Sequence, residues 1–308
     1  MELRIHRLHS GFVNGLPTHF FEAAGMHPDV AGGQMLPYQK ASDLNETGAY
    51  WVPAPVWYIE GAKSHILVDT GLPPAEEVVA AQQRYAGTGD TPPRIGPEHD
   101  LAKQLGELGL TPGDIDIVIL THLHYDHIGR NELFTNARFI VNRAELSWAL
   151  CPPDYGYYYY RESRGHILNV LDQIQLVDGD YEVAPGVRMV FAPGHSPGLS
   201  LVFVETSVGT VALTSDAVNT YRNIEYEWPS GIWFDFAESV NVLRKLKTAD
   251  IIVPHHGLIY DDLFPEKIIG SAPLRSETKE YMERIRTAGQ YKLSTYSDAS
   301  LPKELIGS

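Results

Sequence analysis

The sequence of 308 residues has one cysteine, Cys151, and no long uninterrupted run of apolar residues. A single thiol excludes an intrachain disulfide framework and any zinc or iron-sulfur centre built from several cysteines. A membrane-spanning helix needs roughly 18 or more consecutive apolar residues, and no such run is present. The N-terminal stretch MELRIHRLHSGF lacks the apolar core of a signal peptide, so we expect a soluble, cytoplasmic protein.

Positive charge is also scarce, since Lys and Arg number 24 against 39 Asp and Glu, for a formal net charge of -15. Phosphate binding needs clustered Lys and Arg, and because no such cluster stands out, the composition argues against a nucleic-acid partner. Hydrophobic residues make up 44% of the chain, which is long enough to bury a substantial core.

Strand and helix patterns alternate in the first half of the chain. PVWYIEGAKSHILVDTG (Pro55 to Gly71) predicts a β-hairpin. DLAKQLGELGL (Asp100 to Leu110) predicts a helix, because its leucines recur on one helical face and Asp100 is a candidate N-cap. DIVILT (Asp116 to Thr121) is too short for a helix and rich in β-branched residues, so it predicts a buried strand.

A similar order recurs in the second half. The predicted strands are VRMVFAP (187 to 193), LSLVFVET (199 to 206), TVALTSD (210 to 216) and IIVP (251 to 254), and the predicted helix is FDFAESVNVLRKL (234 to 246). Two such halves with their sheets together would form a four-layer αββα sandwich, one domain over 1–295, although a three-layer α/β fold has the same periodicity. The tail 296–308 is polar and predicted to be poorly ordered.

LTHLHYDHIG (Leu120 to Gly129) places four metal-binding side chains within six positions. His122 and His124 point the same way in an extended segment, so they can hold one ion. Asp126 and His127 come as the chain turns and face a different point. A catalytic metal needs about three protein ligands, and a two-metal site also needs a group that bridges ions roughly 3.5–4 Å apart. Further ligands must therefore come from elsewhere.

Three other predicted strand ends carry such residues: His195 in APGHSPG, Asp216 in LTSDAV, and His255 with His256 in VPHHG. One histidine near a strand end is more often a hydrogen-bonded structural residue. Metal-binding residue types at four strand ends together have no evident structural explanation, so they predict a shared binuclear cleft. Histidine and carboxylate ligands favour zinc or another borderline divalent ion over calcium or magnesium.

These motifs resemble those of the metallo-β-lactamase fold superfamily, over most of the chain from the DTG at 69–71 to VPHHG. The resemblance implies an αββα sandwich and two metal ions. Relatives commonly read P-G-H or P-S-H at the last position, which favours His256 as the ligand and leaves His255 as its neighbour. Asp69 is expected to orient a metal-bound histidine or to serve only a turn. By the resemblance, the first ion is held by His122, His124 and His195, the second by Asp126, His127 and His256, and Asp216 bridges them.

Hydrolysis is the reaction that this ligand set implies. The pKa of water falls from about 15.7 to roughly 7 on zinc, so a bridging water would become a hydroxide able to attack a carbonyl or phosphoryl centre. Asp126 could also pass a proton to the leaving group. Within the superfamily, the motifs look most like those of the N-acyl homoserine lactone lactonases, which implies a lactone substrate and quorum quenching.

Two positions depart from that lactonase pattern. Asn219 stands where those lactonases usually have a tyrosine that polarises the substrate carbonyl, and either its amide or the hydroxyl of Tyr221 could take that role. Leu199 replaces a histidine that is generally not a ligand. The aromatic segments YGYYYYRES (155 to 163) and YEWPSGIWF (226 to 234) could line the pocket, fill the core or form a dimer contact.

Rival functions keep the motifs but change the chemistry. The same metals could hydrolyse an aryl ester, a phosphodiester or a haloaromatic compound. A mononuclear iron thiol dioxygenase is disfavoured by the complete second ligand set, and a catalytically silent binding module by the cost of burying unpaired His and Asp. In each enzymatic case the partner is a small molecule, and the resemblance is compatible with a homodimer.

Overall fold

The structure, a computed structural model, describes residues 2–15, 50–78, 92–153, 159–225, 227–257 and 259–287. The predicted tail 296–308 lies outside the described residues. The strands are β1 (Arg4–Gly15), β2 (Tyr50–Glu60), β3 (Ile66–Val68), β4 (Ile117–Ile119), β5 (Arg138–Asn142), β6 (Ile174–Val177), β7 (Tyr181–Ala184), β8 (Val187–Phe191), β9 (Ser200–Thr206), β10 (Gly209–Leu213), β11 (Ile251–Val253) and β12 (Ile268–Ile269). The helices are α1 (Leu101–Glu107), α2 (Tyr125–Ile128), α3 (Arg143–Leu150), α4 (Arg164–Leu168), α5 (Tyr221–Glu225), α6 (Phe236–Leu246), α7 (Tyr260–Leu263) and α8 (Ser276–Thr287).

The strands form two mixed sheets. One has seven strands in the order β12-β1-β2-β3-β4-β5-β6, and the other has five in the order β11-β10-β9-β8-β7. The predicted hairpin is the antiparallel pair β2 and β3, in which Trp57 faces Val68. From β3 to β6 the neighbouring strands are parallel, as are β10 and β11. The predicted strands and helices of both halves are thus confirmed, with ends that differ by at most three residues except at β2, which begins five residues before Pro55.

Alternation along β4 illustrates how the layers pack. Ile117 and Ile119 join a core cluster that contains residues of both sheets, whereas Val118 joins Leu101 and Leu105 of α1 in a second cluster. Successive side chains of a strand point to opposite faces, so one face of this sheet contacts the other sheet and its opposite face is covered by helices. Residues of α6 and α8 belong to the first cluster. The αββα sandwich is therefore confirmed.

The packing of the sheets brings the motif-bearing strand ends together. β4 belongs to the seven-stranded sheet, whereas β8, β10 and β11 belong to the five-stranded sheet. The Ser200 N–H donates to the Thr121 carbonyl (2.9 Å), which ties the end of β4 to the beginning of β9. None of the described helices is long enough and apolar enough to cross a membrane.

Gly129 lies at the end of the segment 120–129, where that segment packs closely against the chain at Leu72 and Pro73. A Cβ added there would lie 2.1 Å from the Pro73 nitrogen, whereas a Cβ on Gly106 in α1 would meet no heavy atom of the described residues within 4 Å. We expect Gly129→Ala to lower the free energy of unfolding by about 1–3 kcal/mol through overpacking. The matched change Gly106→Ala should raise it by about 0.5–1 kcal/mol, because alanine suits a helix better than glycine.

Denaturant unfolding of the two variants beside the parent chain measures both effects. Equal shifts in the free energy of unfolding would contradict this prediction, because the two substitutions differ in the space around the added methyl group.

Candidate metal centre

The first group of candidate ligands comprises four buried residues from three loops. One ligand atom from each of His122, His124, His195 and Asp216 lies within 4.8 Å of the others. Nδ1 of His124 is 3.1 Å from Nε2 of His195, which is itself 3.5 Å from Oδ2 of Asp216. The sequence motifs at the ends of β4, β8 and β10 therefore converge on one point.

The second group shares Asp216 with the first and adds His127, His255 and His256 under the same 4.8 Å limit. Nε2 of His127 lies 3.2 Å, and Nε2 of His256 3.3 Å, from Oδ1 of Asp216. The two oxygens of Asp216 thus face different sets of imidazoles, Oδ2 toward the first group and Oδ1 toward the second. Such an arrangement is compatible with a carboxylate that bridges two ions.

Hydrogen bonds at Nδ1 orient three of the imidazoles. Nδ1 of His127 lies 2.8 Å from Oδ2 of Asp69, Nδ1 of His195 lies 2.9 Å from the Ile232 carbonyl, and Nδ1 of His256 lies 2.7 Å from the Pro53 carbonyl. Carbonyl oxygens can only accept, and the Asp69 carboxylate also accepts from Thr121, so each Nδ1 carries a proton and, in the neutral ring, Nε2 carries the lone pair.

The expectation that Asp69 orients a candidate ligand is confirmed by its contact with His127. The same carboxylate accepts from the N–H of Thr121 (2.8 Å). Asp69 has a φ of 60°, a left-handed conformation, so it combines the turn role and the orienting role that the sequence left open.

Two residues in or beside the second group, His255 and Asp126, need separate description. The ring of His255 stacks on that of His127, with centroids 4.4 Å apart and an interplanar angle of 25°, and its Nε2 is buried without a hydrogen-bond partner among the described residues. Asp126 falls outside both groups of four, although its Oδ2 lies 3.9 Å from Nε2 of His127. Both histidines belong to the second group, so the sequence-based preference for His256 stays a prediction.

The buried cluster separates charged from neutral groups. Burial lowers the pKa of His122 well below its ordinary range, and the neighbouring imidazoles lower it further. Burial also disfavours the charged form of His127, but Asp216 and then Asp69 outweigh it and raise the pKa of His127 well above its ordinary range. Burial alone would raise the pKa of Asp216, yet the imidazoles of His127 and His256 hold it well below its usual value. An anionic carboxylate among imidazoles is the charge state that suits a divalent cation.

The structure does not bring Tyr221 to the cluster. Its hydroxyl donates to the Ile252 carbonyl (2.7 Å), and its ring packs edge-on against Tyr281 in the core. The hydroxyl is therefore engaged in the core and does not reach a substrate carbonyl as the sequence suggested. Asn219 is buried between the turn that carries Asp216 and helix α5.

The described part of the first aromatic segment reaches the site. The rings of Tyr159 and Tyr160 lie 5.2 and 4.8 Å from the ring of His124, measured between centroids. In the second segment, Trp233 and Phe234 are partly exposed, and the Phe234 N–H donates to the carbonyl of Gly194 beside His195. Both segments therefore contact candidate ligands or the residues next to them.

Glu145 is the residue of this region that sequence reasoning missed. It lies in α3 and is fully buried. It accepts hydrogen bonds from Leu123 in the loop after β4 and from Gly198 in the loop after β8. Its signal in the sequence is weak: it shares a helical face with Ala149, four residues on, so a carboxylate stands where the helix is otherwise apolar.

The comparisons with known proteins agree with this geometry. The family model of the metallo-beta-lactamase superfamily matches residues 49–256. An N-acyl homoserine lactonase from Bacillus thuringiensis is 38% identical over 223 residues, which make up 70% of this chain and 84% of the relative. An N-acyl homoserine lactone hydrolase, solved with N-hexanoyl-L-homoserine at its catalytic metal centre, is 28% identical with a TM-score of 0.66, over 86% of this chain and 99% of that chain.

A dizinc quorum-quenching lactonase, also solved with its product, shares the fold at 16% identity and a TM-score of 0.59, over 83% of this chain and 88% of that chain. Together these matches confirm the expectation of a metal-dependent hydrolase that resembles the lactonase branch. The chain belongs to the metallo-beta-lactamase superfamily.

Proposed function

We propose that this chain is a binuclear zinc hydrolase that opens the ring of N-acyl homoserine lactones. The observation that carries the proposal is the pair of Asp216 oxygens facing two separate sets of imidazole nitrogens. The lactonase relatives supply the substrate class, because one of them covers 70% of this chain at 38% identity.

The donor set fits zinc. Nε2 of His122 is buried without a hydrogen-bond partner among the described residues, a costly arrangement that a metal ion would relieve. When bound, two zinc ions polarise a carbonyl and lower the pKa of water to roughly 7. We assign His122, His124 and His195 to the first ion, Asp126, His127 and His256 to the second, and Asp216 to both.

Two further side chains take roles in lactone opening. Attack of water on the lactone carbonyl breaks the ring C–O bond and leaves an alkoxide that needs a proton. Asp126, beside His127, is the proposed donor of that proton. Asn219 stands in the sequence where the lactonases usually have a tyrosine, and its amide N–H is the proposed group that stabilises the negative charge on the carbonyl oxygen.

Elemental analysis of the purified full chain, followed by turnover assays, tests the proposal. We expect about two zinc ions per chain, as a two-metal hydrolase requires. Ring opening of an N-acyl homoserine lactone should exceed hydrolysis of an aryl ester, a phosphodiester or a haloaromatic compound. One iron per chain, or two zinc ions with a phosphodiester as the preferred substrate, would overturn it.

Several sequence-based expectations accompany this function and stay predictions. The proposed substrate is a small molecule, the predicted location is the cytoplasm, and no nucleic-acid partner is expected from the charge balance. A homodimer is compatible with the resemblance. Quorum quenching would follow from the proposed substrate class.

A further inference from the structure

Glu145 is a fully buried carboxylate in α3 that accepts four hydrogen bonds. Oε1 accepts from the Leu123 N–H (3.0 Å) and the Tyr160 hydroxyl (2.8 Å). Oε2 accepts from the Ser196 hydroxyl (2.7 Å) and the Gly198 N–H (2.9 Å). A buried charge is tolerated only when it is well paired or well hydrogen-bonded, so this set of donors explains how Glu145 can be buried.

The donors to Glu145 are placed next to the first group of ligands. Leu123 lies between His122 and His124 in the chain, and Ser196 directly follows His195. The Tyr160 ring, whose hydroxyl donates to Glu145, also lies edge-on against His124. Every histidine of the first group is therefore bonded in the chain, or packed in space, to a donor of Glu145.

Gly198 shows that the close approach of the His195 loop to α3 is built into the chain. A Cβ added to Gly198 would lie 2.2 Å from the backbone nitrogen of Glu145. Only glycine lets the loop after His195 lie directly against the first turn of the helix at this distance. Glu145 therefore joins loops from two different sheets, since one loop follows β4 and the other follows β8.

The second group is oriented by other atoms. His127 is held by the carboxylate of Asp69, and His256 is held by the carbonyl of Pro53. His195 is also bonded to the Ile232 carbonyl, and Asp69 also accepts from Thr121 beside His122. The donors to Glu145 nevertheless all lie in or beside the first group, whereas Asp69 and Pro53 bond directly to histidines of the second.

We infer that Glu145 is a positioning residue of the first zinc site. It holds the loops after β4 and β8 together, so that the three histidines of the first group face one ion. The inference rests on the proposed two-zinc site but not on the identity of the substrate. It predicts that a change at Glu145 weakens the first site selectively.

Glu145→Gln removes the charge and keeps the shape. A glutamine side chain presents one oxygen and one NH₂ group where Glu145 presents two acceptors. The hydroxyls of Tyr160 and Ser196 can rotate to accept, but the N–H groups of Leu123 and Gly198 cannot, so one of them must face the NH₂ group. Relief of that conflict moves one of the two ligand-bearing loops.

Zinc affinity measured in two single-site backgrounds tests the inference without reference to substrate. His256→Gln lowers the zinc affinity of the second group, so the first group can be measured alone. His195→Gln lowers the zinc affinity of the first group, so the second can be measured alone. Adding Glu145→Gln should lower zinc affinity roughly 10–100-fold in the His256→Gln background, as changes behind metal ligands do. In the His195→Gln background we expect less than about a threefold change, because the second group is oriented elsewhere.

Glu182→Gln, on the exposed side of β7, is the matched control and should alter neither affinity. An equal loss in both backgrounds, or no loss in either, would overturn the positioning role of Glu145. If Glu145→Gln does not fold, Tyr160→Phe and Ser196→Ala remove one donor each. Both should lower zinc affinity selectively at the first site, by a smaller factor. A parent chain that binds no zinc would overturn the proposed function itself, which separates the two failures.

Discussion

Asp216→Ala is expected to remove both zinc ions and to lower lactone turnover by at least about 10²–10³-fold, the loss typical when a single stabilising donor of an active site is removed. The reason is that one carboxylate belongs to both groups of candidate ligands. Its Oδ1 lies 3.2 Å from Nε2 of His127, and its Oδ2 lies 3.5 Å from Nε2 of His195. Elemental analysis and steady-state turnover measure the two effects.

Asp178→Asn serves as the control, because Asp178 is a surface carboxylate, 71% exposed, that pairs with Arg143. Exposed ion pairs contribute little to stability, so this variant should retain both zinc ions and its turnover. A chain with Asp216→Ala that kept two zinc ions would contradict the bridging assignment. One retained ion with near-parental turnover would mean that a single site suffices for catalysis.

The sequence predicted most of the fold because periodicity reports which side of an element is buried. The apolar run 116–121 became β4, with Ile117 and Val118 on opposite faces, and the helix predicted behind Asp100 begins at Leu101 with Asp100 capping it. Metal-binding residue types at strand ends predicted the site for a related reason, since strand ends of packed sheets meet at one edge. Both inferences depend on patterns formed by residues that are close together in the sequence.

The orientation of the candidate ligands could not be predicted in the same way. His256 is held by the carbonyl of Pro53, 203 positions earlier in the chain, and any residue type could offer that carbonyl. Two of the four donors to Glu145 are backbone N–H groups, which carry no side-chain signature. Tyr221 shows that closeness in sequence can also mislead. It lies two residues after Asn219, which suggested a substitute hydroxyl, but the turn into α5 places it in the core.

Asp69→Asn should lower zinc affinity at the second site by roughly 10–100-fold, with turnover falling in parallel, as is usual for residues behind metal ligands. Asn tolerates the left-handed conformation that Asp69 adopts, so the backbone should be kept. If the new oxygen accepts from the Thr121 N–H, the NH₂ group faces Nδ1 of His127. In the neutral ring the proton must then sit on Nε2, where it occupies the position that faces Asp216.

The direct readout is the tautomer of neutral His127 in the zinc-free chain, measured at a pH above its raised pKa. ¹⁵N NMR of the imidazole reports which nitrogen carries the proton. Asp116→Asn is the matched control, because Asp116 also accepts a backbone N–H, that of His65, but contacts no candidate ligand through it. An unchanged tautomer with unchanged zinc affinity would show that Asp69 serves only its turn. In the single-site backgrounds, Asp69→Asn should lower zinc affinity more at the second site, where Asp69 bonds directly to His127, and Glu145→Gln more at the first. Opposite selectivity of these two isosteric changes would mean that each half of the centre is oriented by its own buried carboxylate, whereas a common loss would mean that both act through stability alone.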